Sequence, residues 1–258
     1  MAVSETITKR GGLQLIGRAA DVMRALEHAP GGLGLSEIAA AVELPKSTVH
    51  RLIGALEHED FVKLGPAGKW HLGRGLAQLG AAARDSLRDE LRPYLLRLAK
   101  EVDETVDLSV IDGADARFID QVPSNHRLAA VSAVGVRFPL HCTANGKALL
   151  AALPSEQAEI ILPQRLVTYT DRTISSRRAL RAELQKVRDD GVAYDRDEHT
   201  LGISAVGCAV YDAYGVAAAI SVAAPTQRFA GEAGTLERLV RGTCADASAE
   251  LGAARAQI

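Results

Sequence analysis

The sequence predicts an α+β protein in two parts, and three observations carry that prediction. Residues 35–56, LSEIAAAVELPKSTVHRLIGAL, hold two short apolar-periodic segments parted by a proline. Directly after them, FVKLGPAGKWHLG reads as two short strands joined by Gly65-Pro66-Ala67-Gly68. From residue 105 onward, strand-like segments alternate with amphipathic helical ones, strands dominating and helices expected on one side of them.

Each element has a local cause. Residues 1–12 are polar and contain Gly11-Gly12, so a flexible arm is expected there. Residues 13–28 place Leu15, Ala19, Val22, Met23 and Leu26 at helical spacing, ending before Pro30-Gly31-Gly32. In the next helix Ser36 is the candidate cap, and Glu37 suits the positive end of the helix dipole. Leu35, Ile38 and Ala39 form its apolar stripe. Pro45 steers Leu44 out of the α region and ends it. A third helix is expected from Ser47 or Thr48 to about Glu59, burying Val49, Leu52, Ile53 and Leu56.

A short helix, a tight turn and a second helix, with small Ala39 at the crossing and Val49 as anchor, is the helix-turn-helix pattern. Its second helix enters a DNA major groove. Lys46, Ser47, Thr48, His50 and Arg51 are left pointing outward, able to bond phosphate oxygens and base edges. The turn position often held by glycine is Glu43, a strain on the order of 1 kcal/mol. Lys63, Lys69 and His71 lie along the hairpin, where they would reach the DNA backbone as a wing. Residues 13–74 thus read as a winged helix-turn-helix DNA-binding domain. The competing reading is a small packing module with a wet polar face.

Residues 75–103 favour helix, with Pro93 expected to break or kink it. The part at 75–91 is therefore expected to be a linker helix, open to packing on its twin in a dimer or on its own domain. Residues 92–258 make the second domain. TVDLSVID, ARFIDQVP and LAAVSAVG have strand composition, and Thr143 to Leu153 looks helical. SSRRALRAELQKVRDDG is an amphipathic helix capped by Ser175 or Ser176 and ended by Gly191. VAYDRDE, ISAVGCAVYD and VAAAISVAAP follow, the last two turning at Asp212–Gly215, and a helix from about Gly231 to Ala254 closes the chain.

Composition excludes several classes. Thirty Lys plus Arg against 32 Asp plus Glu leave no global basic field, so any DNA contact must be local. Cys142, Cys208 and Cys244 are odd in number and widely spaced, which disfavours a disulfide framework or zinc knuckle and suits a reducing cytosol. No apolar run reaches eighteen residues, so the expectation is a soluble cytoplasmic protein without membrane partners. His141-Cys142 would face opposite ways on a strand and is not read as a catalytic pair. Asp195, Asp197, Glu198 and His199 lack a soft ligand nearby and are read as solvated loop charges, with no metal. No cofactor and no catalytic residue is expected. RLVTYTDRTI is polar and Thr-rich, which fits a loop over a pocket or any exposed connector.

Together LPKSTVHRLIGALEHEDFV, LGRGLAQLG, LHCTANGKALLAALP and GVAYDRDEHTLGISAVGCAVYDAYGVAAAISVAAP resemble the IclR family of bacterial transcription regulators, over nearly the whole chain. The resemblance implies a winged helix-turn-helix, a dimerising linker helix and a GAF-like effector-binding α/β domain. It implies dimers or tetramers on palindromic operators, a small-molecule effector and no catalysis; the expected action is repression. It also implies effector-site positions. Ala144, Asn145 and Gly146 would offer backbone N–H groups to an anion. Asp195 would meet a ligand hydroxyl or water, and Ser221 is a polar position. Ala205 stands where the family has cysteine, and Ala223 where it has a second serine, making the pocket roomier and less polar. The expected ligand is a small organic acid with an apolar or aromatic body, walled by Phe138 and Leu128. A constitutive DNA-binding oligomer without a working effector site stays open, as does an enzyme with a winged-helix interaction domain.

Overall fold

A computed structural model describes residues 2–253 apart from His28 and Val131, with side chains described from Gln14 onward. The chain divides into two compact units, residues 1–85 and 86–258.

The first unit opens with α1 (Ala2–Glu27), α2 (Leu35–Ala41) and α3 (Lys46–His58). Residues 2–12, expected as an arm, continue α1: once a helix is nucleated each further residue adds a hydrogen bond, and only Gly11-Gly12 weigh against it. Val22 and Leu26 of α1 are buried with Ile38, Val49, Leu52, Ile53 and Leu56, whereas Leu15 stands in solvent one turn beyond that core. The cap of α2 is Gly34 rather than Ser36: the Glu37 carboxylate accepts the Gly34 N–H at 2.7 Å. Glu43 does take the left-handed conformation, φ 53°, at the turn. With Pro45 supplying its fixed φ before it, α3 begins at Lys46.

The wing is β1 (Val62–Leu64) paired antiparallel with β2 (Trp70–Leu72). His71 is half-buried under it, not reaching outward. A Cβ on Gly32 or Gly65 would lie 2.6 Å or 2.5 Å from its ring, so two glycines make room for the imidazole. Next, α4 (Arg74–Val102) runs through Pro93 without ending. Leu91, Leu95, Leu98 and Val102 lie on one buried stripe of it, and packing on both sides of the proline outweighs the lost bond.

The second unit is built on six strands among the described residues: β3 (Thr105–Asp112), β4 (Asp115–Val122), β5 (Arg137–Pro139), β6 (Ala193–Arg196), β7 (Ile203–Asp212) and β8 (Gly215–Pro225). Their order is β5-β4-β3-β8-β7-β6, with antiparallel pairing throughout. The helices are α5 (Ala144–Ala152), α6 (Ser155–Ile161), α7 (Arg177–Asp190) and α8 (Thr226–Glu250). Helices cover both faces, not one. Alternate residues Val106, Leu108, Val206, Ile220 and Val222 face α4 and α8, while Ala193, Ala116, Phe118 and Ala219 join α5, α6 and α7. Three local expectations need correction. LAAVSAVG forms no strand among its described residues: Thr105 Oγ1 and Arg228 hold its Ala130 and Leu128 carbonyls, and Gly135 turns it at φ 90°. His141 and Cys142 lie on a 3-10 turn, not a strand. The final helix begins at Thr226, directly after Pro225.

Candidate functional site

Two sites emerge, one in each unit. On α3 the periodicity separates two faces: Val49, Leu52, Ile53 and Leu56 are buried, and Lys46, Ser47, His50 and Arg51 are exposed, with Thr48 half-buried between them. The exposed set occupies the first two turns of the helix, the part that meets base edges when such a helix lies in a groove. Lys63 is exposed on β1. Lys69 lies 3.9 Å from Glu37, an exposed pair too weak to withhold it from a phosphate.

In the second unit a cavity of about 120 Å³ opens between the α5 face of the sheet and the loops at its edge. Sheet register builds its floor. One row across the strands reads Asp107, Ser221, Gly207, and the next reads Ala223, Ala205, Asp195. The amino terminus of α5 closes over them. Thr143 caps it, its Oγ1 accepting the Gly146 N–H at 3.1 Å. Gly207 permits the approach, since a Cβ there would sit 3.2 Å from Asn145 Oδ1 and 3.3 Å from the Ala144 carbonyl carbon. Asn145 is 1% exposed, and neither Nδ2 nor Oδ1 has a protein partner. Buried amides are ordinarily paired, so Asn145 keeps both donor and acceptor capacity beside the cavity.

The wall is aromatic. Phe138 meets Phe118 edge to face at 5.0 Å between centroids, and His199 at 4.7 Å. Tyr169, from the Thr-rich segment, lies 4.8 Å from His199. That segment is tied in rather than loose: Thr170 Oγ1 donates to the Asp197 carbonyl at 2.7 Å and Thr173 Oγ1 to the Glu198 carbonyl at 2.6 Å.

Asp195, Asp197 and Glu198 are buried, contrary to the solvated loop expected, while Arg196 between them is exposed. Asp195 Oδ1 accepts the Glu198 N–H at 2.7 Å, and Asp197 pairs with Arg172 at 2.6 Å. Lys147, on α5, is wholly buried and reaches Glu198 at 2.6 Å and Glu183 at 3.2 Å. Burial pushes the Asp195 carboxyl up to about 7, with Glu198 adding like charge and Lys147 opposing it. Burial likewise raises Asp107 to about 6 despite hydrogen bonds from Ser132 at 2.5 Å and Gln121 at 2.8 Å. His199 is held below its ordinary value by burial, then by His141. His141 gives its Nε2 to the Val167 carbonyl at 2.9 Å, and burial drives the Cys142 thiol far up, so that pair offers no nucleophile.

Both family models match: an IclR helix-turn-helix domain over residues 15–65, and the bacterial transcriptional regulator IclR C-terminal domain over residues 80–249. The chain belongs to the IclR family. Within it, the HTH-type transcriptional regulator Rv1719 of Mycobacterium tuberculosis is 48% identical over 232 residues, 90% of each chain. The HTH-type transcriptional repressor AllR of Escherichia coli K12 is 33% identical over 256 residues, 96% of this chain and 94% of that one. The IclR crystal structure from Thermotoga maritima superposes with a TM-score of 0.63 at 27% identity, covering 93% of this chain and 99% of the other. Family members are transcriptional regulators, not enzymes. Among the described residues no helix is long and apolar enough to cross a membrane.

Of the expected effector positions, Ala144, Asn145, Asp195, Ala205 and Ser221 from the family resemblance and Phe138 from the proposed apolar wall all line the cavity. Two do not. The Gly146 N–H is already taken by Thr143, and a Cβ there would lie 2.4 Å from the Leu140 carbonyl oxygen, so this glycine serves close packing. Leu128 is 68% exposed, its carbonyl held at 2.8 Å by Arg228 on a segment that is loop instead of strand. Asp107, Phe118 and Ser132 line the cavity and were missed. Asp107 had a signal: in TVDLSVID the polar residues alternate with valine and leucine on a strand buried on both faces, where a polar position needs a partner.

Proposed function

We propose that this IclR-family regulator is a ligand-responsive repressor. Two α3 helices of a dimer or tetramer read a palindromic operator, and the cavity of the GAF-like second domain senses a small organic molecule. The observation that carries the reading is the pairing of an outward basic and hydroxyl-bearing turn, Lys46 to Arg51, with a buried, unpartnered Asn145 in a ring-sized cavity. Arg51 and Lys46 contact bases or phosphates, Ser47, Thr48 and His50 complete the recognition turn, and Lys63 and Lys69 hold the backbone. Half-sites then fall about one helical turn, roughly 34 Å, or a multiple apart. The ligand acts by binding one arrangement of the two recognition helices better than another.

The test is a gel-shift titration with the DNA upstream of the protein's own gene at two salt concentrations, repeated with a panel of small aromatic and aliphatic molecules. Specific, salt-sensitive retention that one compound alters is the expected result. Retention that no compound alters favours a constitutive binder. No retention by folded protein at low salt makes α3 a packing helix only.

A further inference from the structure

The cavity carries carboxyls where a site built for an acid would carry a base. Its ionisable lining residues are Asp107, Asp195 and His199, with neither lysine nor arginine among them. Lys147 lies one turn along α5 but spends its ammonium on Glu198 and Glu183. Near neutral pH the imidazole is uncharged, while Asp107, raised to about 6, and Asp195, raised to about 7, both keep part of their negative charge. A ligand carboxylate enclosed beside them would meet like charge in a medium that screens poorly. The remaining groups are neutral donors and acceptors: the unpartnered Asn145 amide, Ser221, Thr200, and the first N–H groups of α5, which no helix can satisfy internally.

Resting on the reading of this cavity as the effector site, we propose that the ligand is a neutral single-ring aromatic bearing a hydroxyl, a phenol or aromatic alcohol, rather than a carboxylate. The hydroxyl donates to the Asp195 carboxylate and accepts from Asn145 Nδ2 or an α5 amide. The ring lies against Phe118, Phe138 and His199, which already pack edge to face with one another along the cavity wall. Size agrees: 120 Å³ is close to the roughly 150 Å³ of an apolar cavity that takes benzene. The conclusion departs from the organic acid expected from the family resemblance, and the reason is Asp107, which no family position suggested.

The experiment uses the full chain at pH 7.5 and matched pairs, phenol with benzoate and 4-ethylphenol with 4-ethylbenzoate, by thermal shift and calorimetry. A phenol is un-ionised there and a benzoate fully charged. Binding of the phenols at least tenfold tighter than of their benzoates is expected. Asp195→Asn should shrink that discrimination by about tenfold, a readout that a merely structural aspartate would not move. Ala223→Leu, which fills the cavity without touching a charge, should abolish binding of both and keeps the test decisive if Asp195→Asn does not fold. Benzoates binding tighter than phenols would overturn the neutral-ligand assignment while leaving a sensor. Neither series binding would overturn it together with the effector reading of the cavity.

Discussion

On α3, Lys46, His50 and Arg51 stand in solvent around a buried row of Val49, Leu52 and Ile53, whereas in the second unit Asp107 and Asp195 on the sheet and Lys147 on α5 are enclosed. The same residue types serve opposite ends. An exposed charge costs the fold almost nothing and is free for a partner such as a phosphate, while an enclosed one must be paired, protonated or offered to a ligand. Removing a charge from the first unit should therefore leave its stability nearly unchanged, whereas in the second unit a change of charge changes stability as well.

The sharpest way to break that contrast is Lys147→Met. Removing the ammonium leaves Glu198 and Glu183 facing an apolar side chain, and breaking a buried pair costs about 3–5 kcal/mol. Denaturant unfolding should show the loss; a change under 1 kcal/mol would mean the two glutamates find water instead.

Next in size is the pH dependence set by Asp195. Its folded carboxyl sits at about 7 against an ordinary 3.8, held there by burial and opposed by the hydrogen bond from the Glu198 N–H and by the Lys147 charge. The folded state thus binds the proton more tightly, so this group's contribution is present at low pH and is lost as pH rises from about 4 to 7. The rise corresponds to at most about 4 kcal/mol. Comparing wild type with Asp195→Asn at pH 5 and pH 8 isolates it. Wild type should lose stability relative to the variant on going to pH 8, and equal curves would place the carboxyl in water.

Arg51→Ala tests the exposed side. Loss of a base contact should cost about 1–3 kcal/mol of operator affinity per half-site, with thermal stability within about 0.5 kcal/mol of wild type. Fluorescence anisotropy on operator DNA reads the first and a melting curve the second; unchanged affinity removes Arg51 from the interface. Smallest is Lys63→Ala, expected to weaken binding about equally on every sequence and to lower the salt slope by about 1. A sequence-dependent effect would mean that the wing reads bases.

Sequence alone settled what local chemistry can settle. Glu43, Pro45 and the 3.6-residue spacing of Val49, Leu52, Ile53 and Leu56 located the turn and told which residues face outward, because a helix assigns its faces by period. Ser176 and Gly191 bounded α7 in the same way. Strand TVDLSVID and the hairpin at Asp212–Gly215 were equally legible from composition and turn chemistry. The family resemblance then named Asn145 and Asp195 as positions of interest but not what surrounds them.

Only tertiary structure decided the rest. Pro93 sits inside a continuous α4 because Leu91, Leu95 and Leu98 pack on either side of it, a long-range force that local propensity does not contain. The burial of Lys147 follows from α5, α7 and the loop after β6 meeting at one point, brought together from positions as far apart as 147 and 198. Leu128 and Asp107 changed places as cavity residues for the same reason. Whether a side chain enters the cavity depends on which strand lies beside which, here the row Asp107–Ser221–Gly207, and register across a sheet is set by pairing between distant segments.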